Sequence, residues 1–272
     1  MMHKNNGIKN TKLKISSINI KKFIHYNILM NELTDNNICN SYKAIILVIA
    51  SYENIYYYII NTWKKYMRMF DNVKIYFVYC RSDIDEDLLV CEDDDTIFYN
   101  CEESLVPGIF LKSIHSMNYC HKTFKYDYLI RTNLSSFYNI PKLIEFLDEQ
   151  PKNDFAGGGH GISFDVPFIS GSGIIISYDL VEKMLKSALQ DNAVEHIASY
   201  PDDVVLSYLI NLHINPVTYT DVPCSHVSEK LTNEKIELLS KEYFHFRNRN
   251  DNTNRVLDSG NINLLANYFY NV

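Results

Sequence analysis

Four polar clusters in this chain carry the residue types that chemistry needs. The first closes the run from Asp127 to Ile140, where Tyr128, Leu129 and Ile130 give way to Arg131-Thr132-Asn133-Leu134-Ser135-Ser136. An apolar triplet that stops abruptly in small polar residues is a buried strand carrying its polar tip to a cleft, and in open α/β sheets ligands lie beyond such strand ends. The second is Asp202-Asp203, directly after Tyr200-Pro201; proline in a first turn followed by acids starts a helix, because carboxylates complement its positive end. The third is Asp93-Asp94-Asp95, whose hard oxygens suit a divalent cation but equally suit a solvated loop. The fourth is basic: His245, Arg247, Arg249 and Arg255 fall within eleven residues near the end of the chain.

The elements that must hold these clusters follow from local patterning. Lys43 to Ala50 is a first buried strand, and Ser51-Tyr52-Glu53-Asn54 is a polar turn after it. Ile55, Ile59, Trp63, Met67 and Phe70 then recur at helical spacing. Val73 to Val78 is a second strand that ends at Tyr79-Cys80-Arg81-Ser82-Asp83. A strand, helix, strand order implies a parallel pair joined by a right-handed crossover. Thr96–Tyr99 is a short strand, and Pro107-Gly108 begins a helix with Phe110, Ile114 and Met117 inward and Lys112 on a different face. Ile140-Pro141 opens another helix, with Leu143, Ile144 and Leu147 on its apolar side. Phe155 to Gly161 reads as a flexible glycine loop. Val166–Ile169, Ser170-Gly171-Ser172-Gly173 and Ile174–Ser177 read as strand, tight turn and strand. Asp179 with Glu182 resembles a capping box, and a last helix is expected from Asn261 to Tyr270.

Composition narrows the class. With 272 residues, 46% apolar and 22% charged, the chain suits one large α/β domain, residues 41–272, after an extension of residues 1–40. A net charge of -7 argues against a general nucleic-acid binder. The longest apolar run, Ala44–Ala50, is far short of the roughly 20 residues that span a bilayer, and the lysine-broken N-terminus reads against a secretory leader. Six cysteines without a Cys-x-x-Cys pair read as reduced, buried thiols, and hence as a cytoplasmic setting.

In this order the motifs resemble those of GT-A-fold glycosyltransferases, in particular glycosyltransferase family 31, the β-1,3-galactosyl and N-acetylglucosaminyl transferases, and glycosyltransferase-like proteins of large DNA viruses. Arg131-Thr132-Asn133-Leu134-Ser135-Ser136-Phe137-Tyr138-Asn139-Ile140 corresponds to the family's Lys-Thr-Asp-x-Asp strand end. Ile109-Phe110-Leu111-Lys112-Ser113 is similar to its Leu-x-Leu-Lys-Thr helix, and Ser170 to Ser177 to its Ser-Gly-Gly-Gly-Tyr-Val-Leu-Ser. Asp202-Asp203-Val204-Val205 is similar to its Glu-Asp-Val-Tyr. The resemblance spans about Lys43 to Arg255 and implies a GT-A, Rossmann-like fold with a mixed, mostly parallel sheet flanked by helices.

It also implies inverting transfer from a nucleotide-sugar, UDP-linked, to a hydroxyl of a glycan or protein. Asp203 would take the acceptor proton, with Asp202 as substitute, unless the pair only caps its helix. Ala50, Ser51, Tyr52, Arg81 and Asp83 would meet the base and ribose. Lys112, Arg131, Asn133, Ser135, Ser170, Gly171 and Ser172 would surround diphosphate and sugar, and His160 and His226 are acceptor candidates. The family's metal-holding aspartates are replaced here by Asn133 and Ser135, neither of them anionic. A metal-independent site is therefore expected, with His245, Arg247, Arg249 and Arg255 answering the diphosphate, since guanidinium binds phosphate oxygens in a bidentate fork. The alternatives are a solvated basic tail on a non-catalytic sugar- or nucleotide-binding module, or an enzyme holding Mn2+ or Mg2+ at Asp93 and Asp95. No cofactor, nucleic acid or membrane span is expected, and the host cytoplasm or a virion is the expected location.

Overall fold

The computed structural model describes residues 41–190, 199–249 and 255–272. The extension expected over 1–40 lies outside them. Twelve strands and seven α-helices are described. The central sheet has seven strands: β1 (Ser41–Ile49), β2 (Val73–Cys80), β3 (Leu88–Cys91), β4 (Thr96–Tyr99), β5 (Lys125–Asn133), β7 (Ala156–Gly157) and β10 (Gly173–Ser177), in the order β3-β4-β2-β1-β5-β10-β7. β4, β2, β1 and β5 run parallel, while β3, β10 and β7 pair antiparallel with their neighbours. This is a mixed α/β, Rossmann-like architecture.

Parallel pairing demands crossovers, and the helices supply them. α1 (Tyr57–Tyr66) joins β1 to β2, and α2 (Gly108–Thr123) joins β4 to β5. β1 is central because both its faces are covered: Ala44 through Val48 are fully buried, and each such Ile or Val contributes roughly 1.5–3 kcal/mol. Ala44, Ile46 and Val48 share a core with Ile59 and Trp63 of α1 and with Ile262 and Leu265 of α7 (Val256–Tyr270). α2 packs on β1, β2 and β4 and on the later helices α4 (Tyr178–Gln190) and α5 (Asp202–Asn211). Clamped this way, α2 buries Phe110, Ile114 and Met117 as expected, and Lys112, on a different face of the helix, is buried as well at 1% exposure.

A smaller sheet of β11 (Cys224–Val227), β12 (His245–Asn248) and β6 (Ser136–Tyr138) carries the basic segment back to the end of β5. α3 (Ile140–Asp148) begins with Pro141 in its first turn and Asn139 accepting from Lys142 N. α6 (Asn233–Leu239) lies between β11 and β12 in the chain. Tyr270 Oη accepts from Ile140 N and donates to the Tyr138 carbonyl, both at 2.7 Å, tying α7 to α3 and β6.

The strand, tight turn and strand read over 166–177 are present: Val166–Ile169 is β9, which pairs with β8 (His160–Ser163), and the turn, in which the Ser170 carbonyl accepts from Gly173 N at 3.1 Å, carries the chain from that sheet to β10. Three local expectations differ. Ala156–Gly157, expected within a flexible loop, is sheet edge, held by β10. Asp179 makes no capping box: its carboxylate takes Ser177 Oγ at 2.7 Å and the Asp154 amide, while Glu182 pairs with Lys186. Cys80 and Cys101 form a disulfide, against the expectation of reduced thiols throughout, because Cys80 ends β2 beside β4 and the chain after β4 returns within a Cα distance of 5.1 Å. Among the described residues no helix is long and apolar enough to cross a membrane.

Candidate active site

β1 has β2 on one side and β5 on the other, so the two crossovers leave in opposite directions and open a crevice at the carboxyl ends of β1 and β5. A cavity of about 520 Å³ lies there. Its walls bring together fourteen of the residues expected from sequence: Ala50 and Ser51 after β1, Lys112 of α2, Arg131, Asn133 and Ser135 at the end of β5, Ser170, Gly171 and Ser172 of the crossing loop, Asp202 and Asp203 at the start of α5, and Arg247, Arg249 and Arg255.

The crossing loop is fixed by its carbonyls. The Gly171 carbonyl accepts from Arg131 Nη1 and, at 3.0 Å, from Asn133 Nδ2. The Ser172 carbonyl accepts from Thr132 Oγ1 at 2.6 Å and Ser136 Oγ at 2.8 Å. Gly171 is demanded by space: a Cβ there would lie 2.5 Å from Arg131 Nη1. Gly173 is equally crowded, with Tyr138 Oη 2.6 Å from the place of its Cβ. These glycines serve close backbone packing on β5 and β6.

The two aspartates divide. Asp202 is buried and ion-paired with Arg131 Nη2 at 2.5 Å; burial pushes its carboxyl above the usual range, with Arg131 pulling against it. Asp203 is partly exposed. One of its oxygens accepts from Gly171 N and the other from its neighbour Val204 N, each at 3.0 Å, which fixes the carboxylate's orientation at the cavity wall and leaves lone pairs for a further donor.

The arginines arrive from the smaller sheet. Arg247 Nη1 donates to Asn133 Oδ1, and no carboxylate among the described residues pairs with that guanidinium. Burial, then Arg249, Arg255 and Arg131, push Arg247 down to about 10, still charged at neutral pH. Arg255 is held by Asp258 at 2.7 Å and lies over the Tyr56 ring at 5.7 Å.

The surroundings of the other candidates differ. Lys112 Nζ is engaged by the Ala50 carbonyl at 2.8 Å and by Glu103 at 2.5 Å, so it braces the cavity wall, and burial lowers its pKa. His245 is 2% exposed, stacked on Tyr138 and bonded to Ser136 Oγ at 3.0 Å. Burial, then Arg247 and His226, push it down to about 3, so it is neutral and turned inward, not a phosphate ligand. His245 and Arg247 share a face of β12 and differ in position along it: His245 lies opposite Tyr138 and is covered by its ring, whereas Arg247, opposite Ser136, reaches Asn133 at the end of β5. Tyr52, Arg81 and Asp83 do not line the cavity: Tyr52 stacks on Tyr79 at 4.7 Å, and Arg81 pairs with Asp83 at 2.8 Å on the surface. His160 and His226 also lie outside its walls. Asp93 and Asp95 sit before β4, at the opposite end of the sheet, where Asp95 pairs with Arg68 at 2.5 Å and Lys74 at 2.8 Å. Those cations already occupy the carboxylate of Asp95, one of the two offered as metal ligands.

Sequence reasoning missed Glu53, Tyr56, Glu103, Ser104 and Leu105, which also line the cavity. Glu103 accepts from Cys80 N at 3.2 Å as well as from Lys112. Its only sequence signal is position, in the loop after a strand of a parallel sheet. Asn133, expected to replace a metal ligand, does not fit a metal: its Oδ1 is already taken by Arg247, and among the described residues no group of three His, Cys, Asp or Glu side chains could hold an ion. No protein-family model matches the chain, and no curated protein matches it.

Proposed function

We propose that this protein is a GT-A-type glycosyltransferase that binds a nucleotide-sugar, UDP-linked, in the crevice between β1 and β5 and transfers the sugar with inversion to a hydroxyl, without a metal. The observation that carries the reading is the meeting, in one cavity, of Arg247, Arg249 and Arg255 with Asn133, Ser135 and Asp203. The nucleoside lies over Ala50 and Ser51. The diphosphate oxygens face the arginines, whose planar forks bind phosphate and stabilise charge that grows as the leaving group departs. The acceptor oxygen attacks the anomeric carbon from the face opposite the diphosphate, its proton passes to Asp203, and the bond to the nucleoside diphosphate breaks. Asp202 and Arg131 hold the start of α5 against the crossing loop, which orients Asp203.

A second reading, a nucleotide-sugar binding module, draws on the two backbone N–H groups that Asp203 already accepts. One experiment separates them. The protein is incubated with a panel of UDP-sugars in EDTA, released UDP is measured, and donor binding is followed by calorimetry. UDP release by the wild type that falls at least 100-fold in Asp203→Ala, with donor binding retained, supports the enzyme. Binding without release supports the module, and no binding of any UDP-sugar refutes both.

A further inference from the structure

The Asn133 amide is used at both ends. Its oxygen accepts from Arg247 Nη1, and its nitrogen donates to the Gly171 carbonyl at 3.0 Å. The orientation is the only one that works: flipping the amide would set two donors face to face at Arg247 and two acceptors face to face at Gly171. A carboxylate of the same shape would accept from Arg247 but could offer nothing to Gly171. It would also set its charge against a carbonyl that Arg131 and Asn133 now share.

The larger consequence is electrostatic. Arg247 donates to a neutral side chain, whereas Arg131 pairs with Asp202 and Arg255 with Asp258. An aspartate at 133 would form a further ion pair and quench the guanidinium before a ligand arrived. We infer that Asn133 is a positioning residue that aims Arg247 into the cavity while leaving its charge available to a diphosphate, so that a neutral residue at this place is required for anion binding and is not merely a lost metal ligand. This rests on the nucleotide-sugar reading and adds the residue that makes the cation usable.

The test is calorimetry on the full chain in EDTA, with inorganic pyrophosphate and UDP as probes. Asn133→Asp, nearly isosteric, is expected to weaken both probes by about 10- to 100-fold, because the charge-assisted bonds from Arg247 are diverted. Asn133→Ala, which frees the guanidinium without neutralising it, is expected to lose less than about 10-fold. That order is the signature, since a purely structural role would make the truncation worse than the isosteric change. In an Arg247→Gln background the same Asn133→Asp change should cost less than about 3-fold. Thermal melts of each variant establish that it is folded.

Wild-type affinity in Asn133→Asp, or a larger loss in Asn133→Ala than in Asn133→Asp, or an undiminished Asn133→Asp effect without Arg247, overturns the inference while leaving the nucleotide-sugar reading intact. A wild type that binds neither probe removes that reading and this inference together.

Discussion

Acid should destabilise this protein well above the pH at which its carboxylates titrate, and two histidines set the size of the effect. His115 stacks on Tyr99 at 4.0 Å, and His245 stacks on Tyr138 at 4.4 Å; burial pushes each from 6.5 down to about 3. The folded chain therefore keeps both rings neutral where the unfolded chain protonates them. Below about pH 6.5 the unfolded state binds more protons, so stability falls as pH falls, and the loss levels off only as the folded rings titrate near 3. From pH 7 to pH 5 each such histidine costs roughly 2 kcal/mol, so the pair costs about 4 kcal/mol. That is a large part of the 5–15 kcal/mol by which domains are ordinarily stable. Urea unfolding followed by fluorescence of the single tryptophan, Trp63, which is fully buried, reads this directly. His245→Gln should remove roughly half of the slope. His121 and His213, also shifted downward by burial, leave a smaller residue of the same sign. An unfolding free energy that is flat between pH 7 and 5, or a slope unchanged in His245→Gln, would refute the assignment of His245 as a neutral core residue and return it to the list of phosphate ligands.

Two further outcomes follow from the packing. Gly171→Ala should lower stability by about 1–3 kcal/mol in urea, because its Cβ would lie 2.5 Å from an Arg131 guanidinium that Asp202 holds in place; an unchanged midpoint would contradict that crowding. Peptide mapping without reductant should recover Cys80 joined to Cys101, while Cys91, Cys120 and Cys224 take an alkylating label after unfolding. Reduction of that link, which closes a span of 21 residues, should cost about 3 kcal/mol, and full labelling of Cys80 in the oxidised protein would dispose of the bond.

Much of the framework was legible in the chain itself, because burial leaves a local signature. The apolar run at Ala44–Ala50, the second run at Val73–Val78 and the polar break after Ile130 located β1, β2 and β5, and the helical stripe between the first two required them to be parallel. Proline in the first turn located the start of α3, and proline just before the first turn that of α5, since a missing N–H is tolerated there. Asn133, Ser135 and Asp203 could be nominated only through the resemblance of their motifs, and Arg247 from its place in a basic cluster, and they meet in the crevice that parallel topology must leave open.

What tertiary structure decided is whatever depends on a neighbour distant in sequence. Lys112 braces the cavity wall because Glu103 and the Ala50 carbonyl, both far from it in sequence, reach it there. His245 is core and Arg247 is site because the Tyr138 ring and Ser136 hydroxyl of β6 cover the first, while the second extends to Asn133 at the end of β5 and the cavity. Asp95 and Asp203 have the same side chain, yet one is spent on cations at the amino end of the sheet while the other stands at the cavity. Hydrophobic periodicity is a property of adjacent residues and survives in one dimension. The partner that satisfies a charge, and the end of the sheet on which it lies, are fixed only when strands far apart in the chain become neighbours.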